Sequence, residues 1–464
     1  MNSDSLKKHF SDFYFKPLSD RRFFLHCILI FAAALLLRIL LALPALQEPC
    51  CLLRPDSMGY WNPARALAAG DGLVTQVGST LPEVVRPVGY IAWLALGITF
   101  SGESLFTAAL LGIFISALSC IPITLSAGYA ISRRAGILAG WLYALNISSI
   151  AAAPLILSDA LLGFFASGMF YAAIRFVKSK NLVYFAVAAL LTMLGTLVKP
   201  VNLPVVIFGL PIILALGAST KYEFGKGSLL ALILFSAVLL PYWVRNYRLC
   251  GDFDGNTANI YFHNGSAIMA RATGESSEVW RNRLLDQAEA EFQSDPQRYS
   301  SLLEQNRYKK QQFKAMIQKY PKDFIITHLP NIYNLLPDVP SLLENNRVTQ
   351  SGRGTMAVLR QKGFTAAVNH YFNGKSHMLL WLLPLLAVHI FVLAGALFRL
   401  TGYIFERDYT MILLFGVFVF YYVWAPGPVI SPRYLLPALP CLIFMAVQPW
   451  KNLSAETENN TNNK

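Results

Sequence analysis

The chain has 464 residues, of which only 14% are charged and 55% are hydrophobic, with a mean hydropathy of +0.45. Soluble globular domains carry about 25% charged residues, so this composition argues against a soluble enzyme, a disordered chain or a disulfide scaffold and predicts an all-α polytopic membrane protein. The net charge of +13 is read as topology rather than as affinity for nucleic acid, because Lys and Arg placement sets the orientation of membrane helices.

In chain order, residues 1–22 form a polar N-terminal segment. Apolar runs long enough to cross about 30 Å of hydrocarbon follow at 23–45, 105–131, 135–153, 160–177, 182–198, 201–218, 228–244, 377–398, 409–425 and 434–450, which predicts about ten transmembrane helices. The first of them lacks a small-residue cleavage site and reads as a retained helix. With both termini on the cytoplasmic side, 16 of the 39 Lys and Arg residues fall inside, among them Arg133, Arg134, Arg175, Lys178, Lys180, Lys221, Lys226, Arg399 and Arg407. Counting 88–100 as a further span would turn the later basic loops outward, so that stretch is predicted as an interfacial helix.

Two segments are left on the outer face. The first loop, 46–103, is predicted to hold short helices at about 57–69 and 87–100. A loop domain at 246–376, mostly helical, carries amphipathic periodicity from Glu275 to Tyr320, after which Pro321, Pro330, Pro337 and Pro340 break the chain into short pieces. The transmembrane core is then 23–245, the C-terminal helices are 377–450, and 451–464 is a polar cytoplasmic tail predicted to be disordered. Cys50, Cys51 and Cys250 lie outside, where a disulfide is allowed if the compartment is oxidising.

The residues able to do chemistry gather at outer membrane ends. Asp56 follows Arg54 in RPDSMGYW, with Tyr60 one turn later; Arg86 follows Glu83 in EVVRPVGY; Asp159 opens a span; Lys199 closes one in VKP; Arg245 and Asn246 end PYWVRN; Arg433 and Tyr434 stand in SPRYLLP. Taken singly, each is an ordinary helix cap or interfacial anchor. Arg38 lies well inside a span, where a cation costs about 2.5–3.5 kcal/mol on insertion scales and is by default a functional candidate. Cations at headgroup depth suit a lipid phosphate, which Arg binds by charge-assisted and often bidentate hydrogen bonds.

At these motifs the chain resembles the C-type membrane glycosyltransferases, in particular the branch of protein O-mannosyltransferases and the lipid A aminoarabinose transferase. The likeness covers nearly the whole chain, and it rests on the order of the motifs rather than on any one of them. It implies an inverting transfer of a monosaccharide from a polyprenyl-phosphate donor to a hydroxyl on a lipid, protein or polysaccharide acceptor. The setting would be a multi-pass protein of the cytoplasmic membrane with its active site facing the periplasm or cell exterior. Asp56 would be the catalytic base. Arg54, Arg86, Lys199, Arg245, Arg433, Tyr434 and Arg38 would bind the donor phosphate, and Asp159, Tyr60, Asn246 and Glu83 would serve the acceptor or support the site. Some relatives bind a divalent metal through an acidic residue beside the second motif and a loop histidine; here Val85 precedes Arg86, leaving Glu83 and His263 as weak metal candidates and no certain cofactor. The competing reading is a transporter or flippase of a lipid-linked saccharide, which predicts charge at the bilayer centre and internal repeats. Convergence of Asp56, Arg86, Lys199, Arg245 and Arg433 on one cavity separates the two.

Overall fold

The computed structural model describes residues 20–253, 255, 257–348, 354–429 and 431–449, and these are helices joined by turns without a β-sheet. Nearly all of the N-terminal segment and the whole predicted tail from 451 lie outside the described residues. The helices used below are α1 (Arg21–Leu46), α2 (Ser57–Ala69), α3 (Val88–Ser101), α4 (Leu105–Ala130), α5 (Arg133–Ala144), α6 (Ile147–Ala152), α7 (Asp159–Ser179), α8 (Leu182–Val198), α9 (Pro200–Gly217), α10 (Lys221–Val238) and α11 (Leu240–Cys250). The loop domain contributes α12 (Gly265–Thr273), α13 (Ser277–Ser294), α14 (Leu302–Lys319), α15 (Pro321–Thr327), α16 (Val339–Asn345) and α17 (Thr355–Tyr371), and the chain returns through α18 (Met378–Phe405), α19 (Tyr409–Trp424) and α20 (Pro432–Ala446).

Five of these helices, α1, α4, α7, α9 and α18, are long and apolar enough to cross a membrane, and α10 with α11 makes a sixth crossing if the pair, bent by 48°, is one span. The remaining predicted runs are shorter or broken. The 135–153 run is no single helix: it stops at Ala144, and Asn146 caps α6 by accepting from the Ser149 N–H at 3.1 Å. The two short helices predicted for the first loop are formed, at 57–69 and 88–101.

Polar side chains inside the apolar bundle bond within it, as a medium without water demands. Thr124, Ser167, Thr192 and Thr196 each donate to the carbonyl four residues earlier, at 2.7–2.9 Å. Arg38 is the largest such case. It is 1% exposed, and its guanidinium donates to Ser116 Oγ (3.0 Å), Ser149 Oγ (2.9 Å) and the carbonyls of Ala34 and Ala144 (3.2 Å each). It therefore joins α1, α4 and the α5–α6 break, where helix ends leave carbonyls without partners. Cys250 is fully buried, and Cys50, Cys51 and Cys250 are all free thiols, so the allowed disulfide is not formed.

Replacing Arg38 with Leu removes these bonds and leaves the Ala144 carbonyl unpartnered. The expected loss is on the order of 3 kcal/mol of stability, read as a lower unfolding midpoint in detergent.

Candidate functional site

The first loop and the span ends meet around one cavity of about 340 Å³. Asp56 and Tyr60 come from the start of α2, Arg86 from the turn before α3, Asp159 from the first residue of α7, Lys199 from the α8–α9 junction, and Arg433 with Tyr434 from the start of α20. The loop domain roofs the cavity with Asn259, Ile260, His263 and Asn264.

Two glycines let the motifs interlock. A Cβ on Gly59 would stand 2.9 Å from Arg86 Nε, so the Arg86 side chain lies across α2, with its guanidinium carbon 5.2 Å from the Tyr60 ring centre. A Cβ on Gly89 would stand 2.7 Å from the backbone carbon of Leu197, which brings the RPVGY turn directly against the end of α8 and hence beside Lys199.

The charges form an alternating chain. Arg86 Nη2 bonds Asp56 Oδ1 at 2.9 Å; Asp56 Oδ2 faces Arg433 Nη2 at 3.8 Å; Arg433 Nε faces Asp159 Oδ2 at 3.6 Å; and Asp159 Oδ1 accepts from Lys199 Nζ at 2.7 Å. Lys199 also sits over the Tyr434 ring at 4.2 Å. Three cations thus face two carboxylates, leaving one positive charge over. Arg433 Nε is buried and lacks a hydrogen-bond partner, and the distances from this guanidinium to both carboxylates exceed ordinary hydrogen-bond length. The two acids differ in access: the Asp56 side chain is 41% exposed and that of Asp159 5%.

Four of the five residues whose convergence was the sequence criterion share the cavity, and Arg245 does not. Its guanidinium donates to the carbonyls of Glu83 and Leu73 at 2.9 Å each and to Asn246 Oδ1 at 2.8 Å, so it ties α11 to the first loop instead of facing a ligand. Arg54 is likewise taken up in structure, paired with Glu344 at 2.9 Å and bonded to the Cys51 carbonyl at 2.9 Å. Arg38 belongs to the bundle core. Asn246 is fully buried beside Arg245. Glu83 Oε1 accepts from the N–H groups of Val85 and Arg86 at 2.7 Å each and shapes the turn that presents Arg86. No group of three His, Cys, Asp or Glu side chains among the described residues is gathered as a metal site. His263 keeps part of its ring in solvent; desolvation by the cavity wall and the charges of Arg281 and Arg86 hold its imidazole below the ordinary value, against the pull of Asp56.

Beside the polar cavity lies an apolar groove of about 310 Å³ between α7, α9 and α19, lined by residues such as Phe170, Ile174, Phe208, Ile212, Phe415 and Tyr421. The two spaces are neighbours along both walls: Pro200 and Val201 face the cavity where Pro204 and Val205 face the groove, and Tyr422 and Tyr421 divide in the same way. Three π-helical stretches, 205–209, 260–264 and 412–417, all contribute to one space or the other. Such turns collect at functional sites. Neither they nor the Asn259–Asn264 roof carry a signal that spacing alone could reveal, beyond the polar NIYFHNG stretch itself.

No protein-family model, curated protein or solved structure matches this chain.

Gly89→Ala should push α3 off α8, because the added methyl meets backbone rather than a movable side chain. The expected outcome is about 1–3 kcal/mol of destabilisation and a longer Arg86–Lys199 separation, measurable by unfolding and by distances between spin labels on the two segments.

Proposed function

We propose that the chain is an inverting glycosyltransferase of C-type architecture, with about ten membrane crossings, both termini cytoplasmic and the cavity at the outer face of the cytoplasmic membrane. It moves a monosaccharide from a polyprenyl phosphate to an acceptor hydroxyl. The observation that carries this reading is the cavity itself: Asp56, Arg86, Asp159, Lys199 and Arg433 together, one positive charge in excess, with an apolar groove alongside. A phosphodiester carries one negative charge, which would equalise the charges, and the Arg433 guanidinium, whose Nε has no hydrogen-bond partner, would face it. The groove suits the polyprenyl chain.

In the reaction, the acceptor oxygen attacks the anomeric carbon from the face opposite the phosphate. The new C–O bond forms as the bond from that carbon to the phosphate oxygen breaks, inverting the centre. Asp56 takes the hydroxyl proton through Oδ2, since Oδ1 is held by Arg86. The departing phosphate gains charge, and Arg433, Arg86 and Lys199 stabilise it electrostatically. Asp159 keeps Lys199 and Arg433 in place from its buried position. The alternative, a transporter of a lipid-linked saccharide, calls for charge at the bilayer centre; the central cation, Arg38, is instead committed to four internal hydrogen bonds.

Two outcomes test the reading. With labelled polyprenyl-phosphate sugars and a membrane extract as acceptor source, Asp56→Asn should lower transfer by about 10²–10⁴-fold while donor binding persists; unimpaired transfer removes Asp56 as the base, and movement of intact lipid-linked sugar without transfer favours transport. The second outcome concerns pH. A histidine with a lowered pKa stays neutral until below its ordinary value of about 6.5, so acidification through that lower range adds a positive charge to the cavity. Donor affinity should therefore rise as pH falls below the ordinary histidine range, and His263→Gln should flatten that rise.

A further inference from the structure

Residues 325–336 expose a row of large apolar side chains: Ile325 (61%), Leu329 (56%), Ile332 (71%), Tyr333 (58%) and Leu336 (50%). The opposite face of this stretch is fastened to two membrane helices and to the cavity wall. Asn334 is fully buried; its Nδ2 donates to the Val423 carbonyl at 3.4 Å and its Oδ1 accepts from the Ser431 N–H at 2.9 Å. The Leu335 carbonyl accepts from His389 Nε2 at 2.8 Å, and His389 lies within α18 at 1% exposure. His328 accepts from Asn264 at 3.1 Å, and a Cβ on Gly427 would stand 3.2 Å from its ring.

These anchors fix the depth of the segment. α18 and α19 are joined by the charged turn Glu406-Arg407-Asp408, so both helices leave one membrane boundary together. Climbing from Tyr409 to Val423 at 1.5 Å per residue raises the chain about 21 Å, and climbing along α18 from Phe405 to His389 raises it about 24 Å. Asn334 and Leu335 bond at the tops of these two climbs, about 6–9 Å short of the far side of a hydrocarbon core about 30 Å thick. Irregular backbone at such a depth is tolerated where its polar groups are satisfied internally, and here several are. The N–H groups of Tyr333, Asn334 and Leu336 bond to Asn331 Oδ1, Asn331 O and Tyr333 O, Leu335 O has His389, and Pro330 and Pro337 bring no N–H at all.

We propose that residues 325–336 form a hook dipping into the leaflet on the cavity side, with Ile325, Leu329, Ile332, Tyr333 and Leu336 against lipid acyl chains and the buried face clamping the wall at 425–429 and Ser431. Pro426 and Val429 of that wall line the polar cavity, so the hook is the element through which the bilayer bears on the site. The row continues the lipid-facing surface of α18, where Ile390 and Phe391 are 63% and 49% exposed. His389 thereby gains a role: an ionisable group inside a span that completes the hook's backbone bonding. The inference does not depend on the proposed transferase activity.

The test uses the full chain with Cys50→Ser and Cys51→Ser, reconstituted in phosphatidylethanolamine–phosphatidylglycerol vesicles and carrying one nitroxide at Ile332→Cys or, independently, at Leu329→Cys. Phe391→Cys on α18 and Glu289→Cys on α13 give the lipid and water references. Power saturation should show both hook labels reached more readily by oxygen than by a water-soluble nickel chelate, as at 391, while the label at 289 shows the reverse. Nickel-dominated relaxation at 332 and 329 overturns the proposal, and so does exclusion of both reagents, which would mean that protein covers the face. Retention of the wild-type unfolding midpoint by each variant confirms that the hook is read in its native state.

Discussion

Arg433 stands between two carboxylates, 3.8 Å from Asp56 and 3.6 Å from Asp159, and the cavity end of the bundle is arranged around that incomplete pairing. Two unit charges 4 Å apart at an effective dielectric near 20 interact by about 4 kcal/mol, so neither carboxylate can be removed without leaving the cations beside it short of a counter-charge. The alternation explains why three cations tolerate one another in a half-buried space. It also explains why the surplus is positive: the outer members, Arg86 and Lys199, are closed onto their own carboxylates at 2.9 and 2.7 Å, and the middle guanidinium is the one with donors to offer.

How far the sequence revealed this depends on what each residue's neighbours are made of. Asp56, Arg86, Asp159, Lys199, Arg433 and Tyr434 were legible because each sits at the end of an apolar run or of a short loop helix, and a charge at that depth must face headgroups or a polar space. The same rule assigned Arg245 and Arg54 to a ligand and was overridden by tertiary contacts. Their donors go to the carbonyls of Glu83 and Leu73 and to Glu344, partners 162, 172 and 290 positions away that no local pattern displays. Arg38 was recognisable as an anomaly inside a span, but its purpose came from the break at Asn146, which leaves the Ala144 carbonyl for it to bond. The short helices 57–69 and 88–101 were readable to within a residue because Gly70 and Gly102, both at positive φ, stop them. Long apolar runs were readable as membrane character, whereas unbroken crossings were not, since Asn146 and the 48° bend between α10 and α11 act within runs of uniform hydropathy.

The two carboxylates illustrate how burial divides labour between chemically identical groups. Asp159 is sealed at 5% exposure and bridges Lys199 to Arg433, so its oxygens are already engaged by fixed cations. Asp56 keeps 41% of its side chain open and has one oxygen held by Arg86, which orients the other. Of the cavity's two acids, only Asp56 combines access with a fixed direction.

The neighbouring spaces share their walls with elements that are poorly suited to stand alone in lipid. The 200–209 stretch passes from a 3₁₀ turn through a π-helical one, 412–417 is again π-helical, and the 425–429 loop is irregular; the first is braced from outside by Tyr421 and Tyr422 on Val201 and Asn202, and the last by His328 and Asn334 on 427 and 431. Regular helices would satisfy their own backbone and need none of these bonds. Their replacement by irregular turns costs hydrogen bonding that side chains must restore, and the restoring residues, Asn202, Asn334 and His389, are among the polar groups buried most deeply in the apolar bundle. Buried polarity in this chain therefore marks two different things: ion pairs where a ligand can approach, and amide or imidazole groups where the backbone has been bent to make room for it.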